Sequence, residues 1–224
     1  MSSDPVRTGR QEAVSELKRA LIVDAARRVF EAEGLEGASV RAIAKEAGYT
    51  AGAIYFHFAS KEAIYAVVLE DSLDRLIASV DAAVAAAGLE PAARMRAAAL
   101  AFFDFYADNP RDLDLGFYLF RGGIRPRGLS PDLDARLNGK LQASLAPIGR
   151  AAADLGASAL VARALTADTF AHATGLLVLE HSGRMRLFEC SGPSLMRAYL
   201  DRALARLAPG CEGSADAGAT TVGQ

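Results

Sequence analysis

Residues 39–61, SVRAIAKEAGYTAGAIYFHFASK, constrain the fold more than any other stretch of the chain. Val40, Ile43, Ala44 and Ala47 fall at i, i+3, i+4 and i+7, and Ala51, Ile54, Tyr55 and Phe58 repeat that spacing, so each run presents one face of a helix. Gly48 between them has the backbone freedom a helix stop needs, and Thr50 can cap the next helix through its hydroxyl. Two short helices about a glycine turn form a helix-turn-helix, whose second helix is shaped to enter a DNA major groove. Neither helix buries enough surface to stand alone, so the rest of the chain must support it.

That support begins at about Lys18, where Leu21, Ile22, Ala25, Ala26, Val29 and Phe30 form one helical stripe that Gly34 ends. Residues 1–16 lack apolar periodicity and are expected to be a flexible arm, from which Arg7 and Arg10 could reach DNA phosphates or a minor groove. Ser60 caps a long helix from Lys61 to about residue 87, which at 1.5 Å per residue spans roughly 40 Å and links the helix-turn-helix to the C-terminal part of the chain. Five more helical segments succeed it: 91–107, one opened by Asn109-Pro110, one opened by Ser130-Pro131 and reaching about Leu155, 158–181, and one from Pro193 that stops before Pro209. Pro147 predicts a kink or break near residues 143–147. Residues 209–224 are small and polar apart from Val222 and read as a disordered tail. No sustained β alternation occurs, RLFEC at 186–190 being the only strand-like scrap. The predicted class is all-α, with about nine helices.

Composition narrows the functional classes. A formal net charge of -2 excludes a generally basic nucleic-acid coat, so any DNA binding must come from a local surface. Up to residue 62 there are nine basic and nine acidic residues, yet within 39–61 Arg41, Lys45 and Lys61 face Glu46 alone. Cys190 and Cys211 have no metal-ligand spacing and read as incidental thiols of a reducing cytoplasm. Neither a membrane-length apolar run nor a signal-peptide core is present, which predicts a cytoplasmic protein with no membrane partner. No GxGxxG, P-loop, HExxH or GxSxG occurs, so no catalytic residue, metal or cofactor is assigned.

The run from Val40 to Phe58, then Ser60-Lys61-Glu62, resembles the DNA-binding domain of TetR-family transcriptional regulators. The likeness reaches back to about Lys18 and forward to about Val68, and beyond about residue 75 it is one of layout only. It implies a helix-turn-helix DNA-binding domain over 17–62, with the linking helix to about 87, and a larger ligand-binding and dimerisation domain over 63–208. It places Thr50, Ala51, Gly52 and Ala53 against the bases, and Tyr55, His57 and Lys61 against phosphates or base edges. Ser39, Arg41 and Tyr49 complete the candidate DNA-binding set. Lys61, in the first turn of its helix, could grip a phosphate together with backbone N–H groups, and Arg41 adds a cation.

This recognition helix carries no Arg, Asn or Gln, the side chains that read guanine and adenine bidentately. Readout of thymine methyls and DNA shape is therefore expected, with much of the affinity resting on phosphates. So few cations per chain would bind weakly, and two copies on a palindromic operator would double the contacts. The predicted partners are double-stranded DNA, a second copy through helices 159–181 and 193–208, and a small-molecule effector.

The aromatics between residues 102 and 120 suggest a mostly apolar effector pocket lined by Met95, Phe102, Phe103, Tyr106, Phe117 and Phe120, with Arg121 or His172 as polar anchor. Aromatics at helical spacing are more often plain helical core than a pocket. The predicted function is a repressor released from its operator when the effector binds. The rival reading is a helical small-molecule-binding or enzymatic domain whose helix-turn-helix is only structural.

Overall fold

A computed structural model describes residues 5–121 and 129–207, without the side chains of residues 5–8, 10 and 117–121. Among the described residues the fold is all-α: α1 (Pro5–Gly37), α2 (Val40–Ala47), α3 (Ala51–His57), α4 (Lys61–Ala86), α5 (Pro91–Asp108), α6 (Pro110–Arg121), α7 (Pro131–Asp154), α8 (Ala159–His181), a 3-10 turn (Arg184–Phe188) and α9 (Gly192–Leu207). The residues group into two compact units, one of residues up to 80 with 104–144, the other of 81–103 with 145 onward.

In the first unit the apolar stripe of α1 (Ile22, Ala25, Ala26, Val29, Phe30) lies buried with Ile43, Ile54, Phe58 and the inner face of α4. Phe30 meets Tyr65 edge to face at 5.5 Å between ring centroids, and the Tyr65 hydroxyl donates to the Leu115 carbonyl of α6. Each such buried aromatic or aliphatic side chain contributes about 1.5–3 kcal/mol. Ion pairs join the same elements: Arg75 Nη2 to Asp112 Oδ1 at 2.8 Å, Arg111 to Glu31 at 2.9 Å, and Arg27 to Asp71. The compact units do not divide after residue 62 as the sequence suggested. Ile64, Tyr65, Val68, Leu69, Leu73 and Leu76 continue the buried face of α4 without interruption, so most of that helix joins the core of the first unit.

In the second unit Met95, Phe102 and Phe103 are buried with Ile148, Leu177, Met196 and Leu200. Phe102 packs edge to face on Phe170 at 5.8 Å. The Glu180 carboxylate, near the end of α8, accepts the Gly192 N–H at 2.9 Å and so caps the start of α9.

Three local expectations change. Residues 5–16, expected as an arm, are helical: Pro5 sits at the first helical position and Arg, Gln and Glu hold a helix without any apolar stripe. Pro147 lies inside an uninterrupted α7, where Ile148, Ala151 and Ala152 are fully buried and hold the turn that the proline weakens. RLFEC is largely a 3-10 turn, not a strand. Gly34 does end the main run of α1, at φ 68° and ψ 172°, before a last short turn to Gly37. The tail 209–224 lies outside the described residues.

Candidate nucleic-acid interface

The caps that define the turn are local and match the sequence. Ser39 Oγ accepts from the Ala42 N–H at 3.1 Å, and Thr50 Oγ1 accepts from the Ala53 N–H at 3.3 Å, each supplying an acceptor for an orphan N–H of its helix. Gly48 takes φ 71° and ψ 27°, and its N–H closes on the carbonyls of Ala44 and Lys45. Ile43 and Ile54 are fully buried, which fixes α2 and α3 on the floor made by α1.

With Ile54 turned inward, α3 presents its other faces outward. Gly52, Tyr55 and Phe56 are exposed, Ala51, Ala53 and His57 half-buried, and Thr50 exposed at the entry. Tyr49 is half-buried ahead of it. Phe56 stands 82% exposed and meets His57 edge to face at 5.2 Å. It lies off the stripe that periodicity picks out, and an apolar ring off the apolar stripe was the signal that could have found it.

The local charge is also organised. Arg41 and Lys45 are exposed, whereas Glu46 accepts from Arg28 Nε at 2.7 Å, so the carboxylate of the turn is matched by a cation of α1. That pair, with Asp24 on the other side, raises the Arg28 pKa further. Arg19 stacks over the Phe58 ring at 4.5 Å.

Lys61, expected to reach a phosphate, is half-buried and also engaged within the domain. Its ammonium donates to the Leu35 carbonyl at 2.9 Å and the Ala38 carbonyl at 3.2 Å, tying the first residue of α4 to the chain that leaves α1. Two of its three donors are spent inside the domain. Ser60 caps α4 as predicted, accepting from the Ala63 N–H at 3.1 Å.

The candidate effector residues are distributed differently from one another. Met95, Phe102 and Phe103 are buried in the second unit. Tyr106 is buried in the first, where burial and then Asp112 push its hydroxyl pKa upward. The side chains of Phe117, Phe120 and Arg121 lie outside the described residues. His172 stacks on Tyr199 at 4.3 Å, with its Nε2 buried and without a hydrogen-bond partner among the described residues. Burial lowers its pKa, partly opposed by the Leu195 backbone, and Arg202 lowers it further.

Residues 22–68 match the model of the bacterial regulatory proteins of the tetR family. The N-terminal domain belongs to the TetR family. Its helix-turn-helix is the DNA-binding element of that family. The A-factor receptor protein of Streptomyces griseus is 50% identical over 50 residues, 22% of this chain and 18% of that protein. The transcriptional activator FasR of Mycolicibacterium smegmatis is 36% identical over 100 residues, 45% of each chain. The matched stretches thus span less than half the length of these curated relatives. The fold beyond that domain is also similar to a solved structure: the transcriptional regulator FadR from Bacillus subtilis, in complex with stearoyl-CoA, superimposes with a TM-score of 0.59 over 85% of this chain and 98% of that one, at 19% identity. Among the described residues no helix is long and apolar enough to cross a membrane.

Proposed function

We propose that this TetR-family protein is a homodimeric transcriptional regulator that represses from a palindromic operator and is released when a small, mostly apolar effector binds its C-terminal helices. The observation that carries the reading is the Thr50-capped α3, held from behind by a fully buried Ile54 while Tyr55 and its neighbours face outward. Thr50, Ala51, Gly52 and Ala53 would face bases, while Tyr49, Tyr55 and His57 would reach phosphates or base edges. Arg41 would hold a phosphate, with Ser39 beside it at the start of α2.

The exposed face of α8 supports the dimer. Leu160, Ala164, Ala167, Ala171, Gly175 and Val178 succeed one another at spacings of three and four, and all are exposed. An apolar helix face of small residues facing solvent suits a symmetric helix pair. The effector class draws support from the FadR neighbour, whose fold holds stearoyl-CoA. A ligand that prefers a conformation with the two recognition helices off the 34–36 Å half-site spacing would lower DNA affinity.

Footprinting of genomic fragments selected by the purified protein tests this reading. A protected palindrome that Tyr55→Ala abolishes, in a variant that still folds, supports it. Turnover of a small molecule without any footprint would favour the enzymatic rival instead. Activation is a second reading, favoured by the activator FasR. A reporter driven by the footprinted promoter separates the two signs of control.

A further inference from the structure

We infer that the DNA surface extends from the helix-turn-helix onto the early turns of α1, where a cleft receives one sugar–phosphate strand. The inference rests on the DNA-binding reading above. A cleft of about 560 Å³ opens between the two elements, with Gln11, Ser15 and Lys18 contributed by α1 and Ala53, Phe56 and His57 by α3.

Of the α1 residues that line this cleft, Ile22 alone is buried. None of residues 11–21 is buried, and Val14, Leu17 and Leu21 are 47%, 63% and 48% exposed. A helical segment ordered without burying a core gains little from its own packing. Gln11, Ser15 and Lys18 nevertheless stand at i, i+4 and i+7, which sets an amide, a hydroxyl and an ammonium along one face opposite the recognition helix.

Val14, Ile22 and Tyr49 complete a lining that is mostly apolar, with a few polar side chains set in it. Lys18, Gln11 and Ser15 offer donors for phosphate oxygens, and among the described residues no carboxylate lines the cleft. The Phe56 ring and the Ala53 methyl offer apolar surface to deoxyribose and to a thymine methyl. Ala53, Phe56 and His57 belong to the recognition helix itself, so a strand leaving the major-groove face of α3 continues directly into the cleft. Lys18 is then a phosphate contact and Phe56 a base-reading side chain, which adds discrimination to a helix that has no Arg, Asn or Gln.

The test is the salt dependence of operator binding by the full chain and its variants. Lys18→Ala should lower the slope of log K against log salt by about one per subunit, on every DNA sequence. Lys18→Arg should restore it, and Leu17→Ala, on α1 but not lining the cleft, should bind as the parent does. Phe56→Ala should lose affinity selectively at sites bearing thymine in the contacted half-site. Unchanged affinity and slope in a Gln11→Ala/Lys18→Ala double variant overturn the inference, as does a Leu17→Ala loss equal to that of Lys18→Ala. If the parent protein protects no DNA at all, the DNA-binding reading itself fails. A footprint indifferent to the α1 variants defeats only the extension.

Discussion

Lys61 Nζ donates to the carbonyl oxygen of Leu35 at 2.9 Å, across 26 positions of sequence. With the second bond to Ala38, this ammonium supplies a donor to the two carbonyls where the chain leaves α1 for α2. Lys61→Ala should therefore cost stability, about 1–3 kcal/mol for carbonyls left poorly paired. Thermal denaturation measures it. The salt slope of DNA binding should change by well under one unit per subunit, because the charge is engaged inside the domain. A full unit lost at unchanged stability would restore the phosphate role that the sequence suggested.

Tyr55 and Ile54 are adjacent in α3 and should behave oppositely. Tyr55 is 57% exposed, so Tyr55→Ala should leave the melting temperature within a degree or two and remove operator binding. Ile54 is fully buried, and Ile54→Ala should cost about 2–5 kcal/mol through lost contacts and a cavity. Circular dichroism melts beside gel-shift titrations distinguish the two, and equal destabilisation would mean that Tyr55 is structural.

The turn was legible because every group that makes it is close in sequence. Ser39, Gly48 and Thr50 act on N–H or C=O groups at most four residues away, and Ile43 and Ile54 emerge from period alone. The direction of Lys61 was not legible, since its partners at 35 and 38 become neighbours only after α1 and α4 pack. Residues 5–16 misled in another way: their helix carries no apolar stripe, and backbone propensity leaves no periodic mark. The aromatics from 102 to 106 announced burial without saying in what. Phe102 and Phe103 lie in one compact unit and Tyr106 in the other, a division that helical spacing cannot reveal.

Gly192 explains why α9 begins with glycine. A Cβ there would stand 1.9 Å from Glu180 Oε2 and 3.1 Å from Phe103 Cζ. Gly192→Ala must displace the carboxylate that caps α9, at a cost of about 1–2 kcal/mol for the lost cap. A Cβ at Gly139 meets nothing within 4 Å. Gly139→Ala should stabilise α7 by up to about 1 kcal/mol. Chemical denaturation of both variants gives opposite signs if the glycines have these separate reasons.

Ala171 and Val178 test the α8 face. A glutamate at either position places a charge where the proposed dimer would bury it, while in a lone subunit it meets solvent. Ala171→Glu and Val178→Glu should halve the mass measured by light scattering at micromolar concentration and leave helicity unchanged. Operator affinity should then fall together with the salt slope, since each monomer brings half the phosphate contacts. Variants that remain dimeric with parental affinity would move the interface off this face.

His172 gives stability a pH dependence of fixed sign. Its folded pKa lies below the unfolded value of 6.5, chiefly because the imidazole is partly buried, with Arg202 adding repulsion. The unfolded chain therefore binds the proton more readily. The contribution of neutral His172 is present in full above pH 6.5 and is lost as pH falls through the depressed folded value. Partial exposure keeps the effect small. Melting temperatures of the parent and His172→Gln, taken from pH 8 to pH 5, should converge or cross toward acid as the parent loses more. Parallel curves would show that the ring stacked on Tyr199 titrates no differently once the chain unfolds.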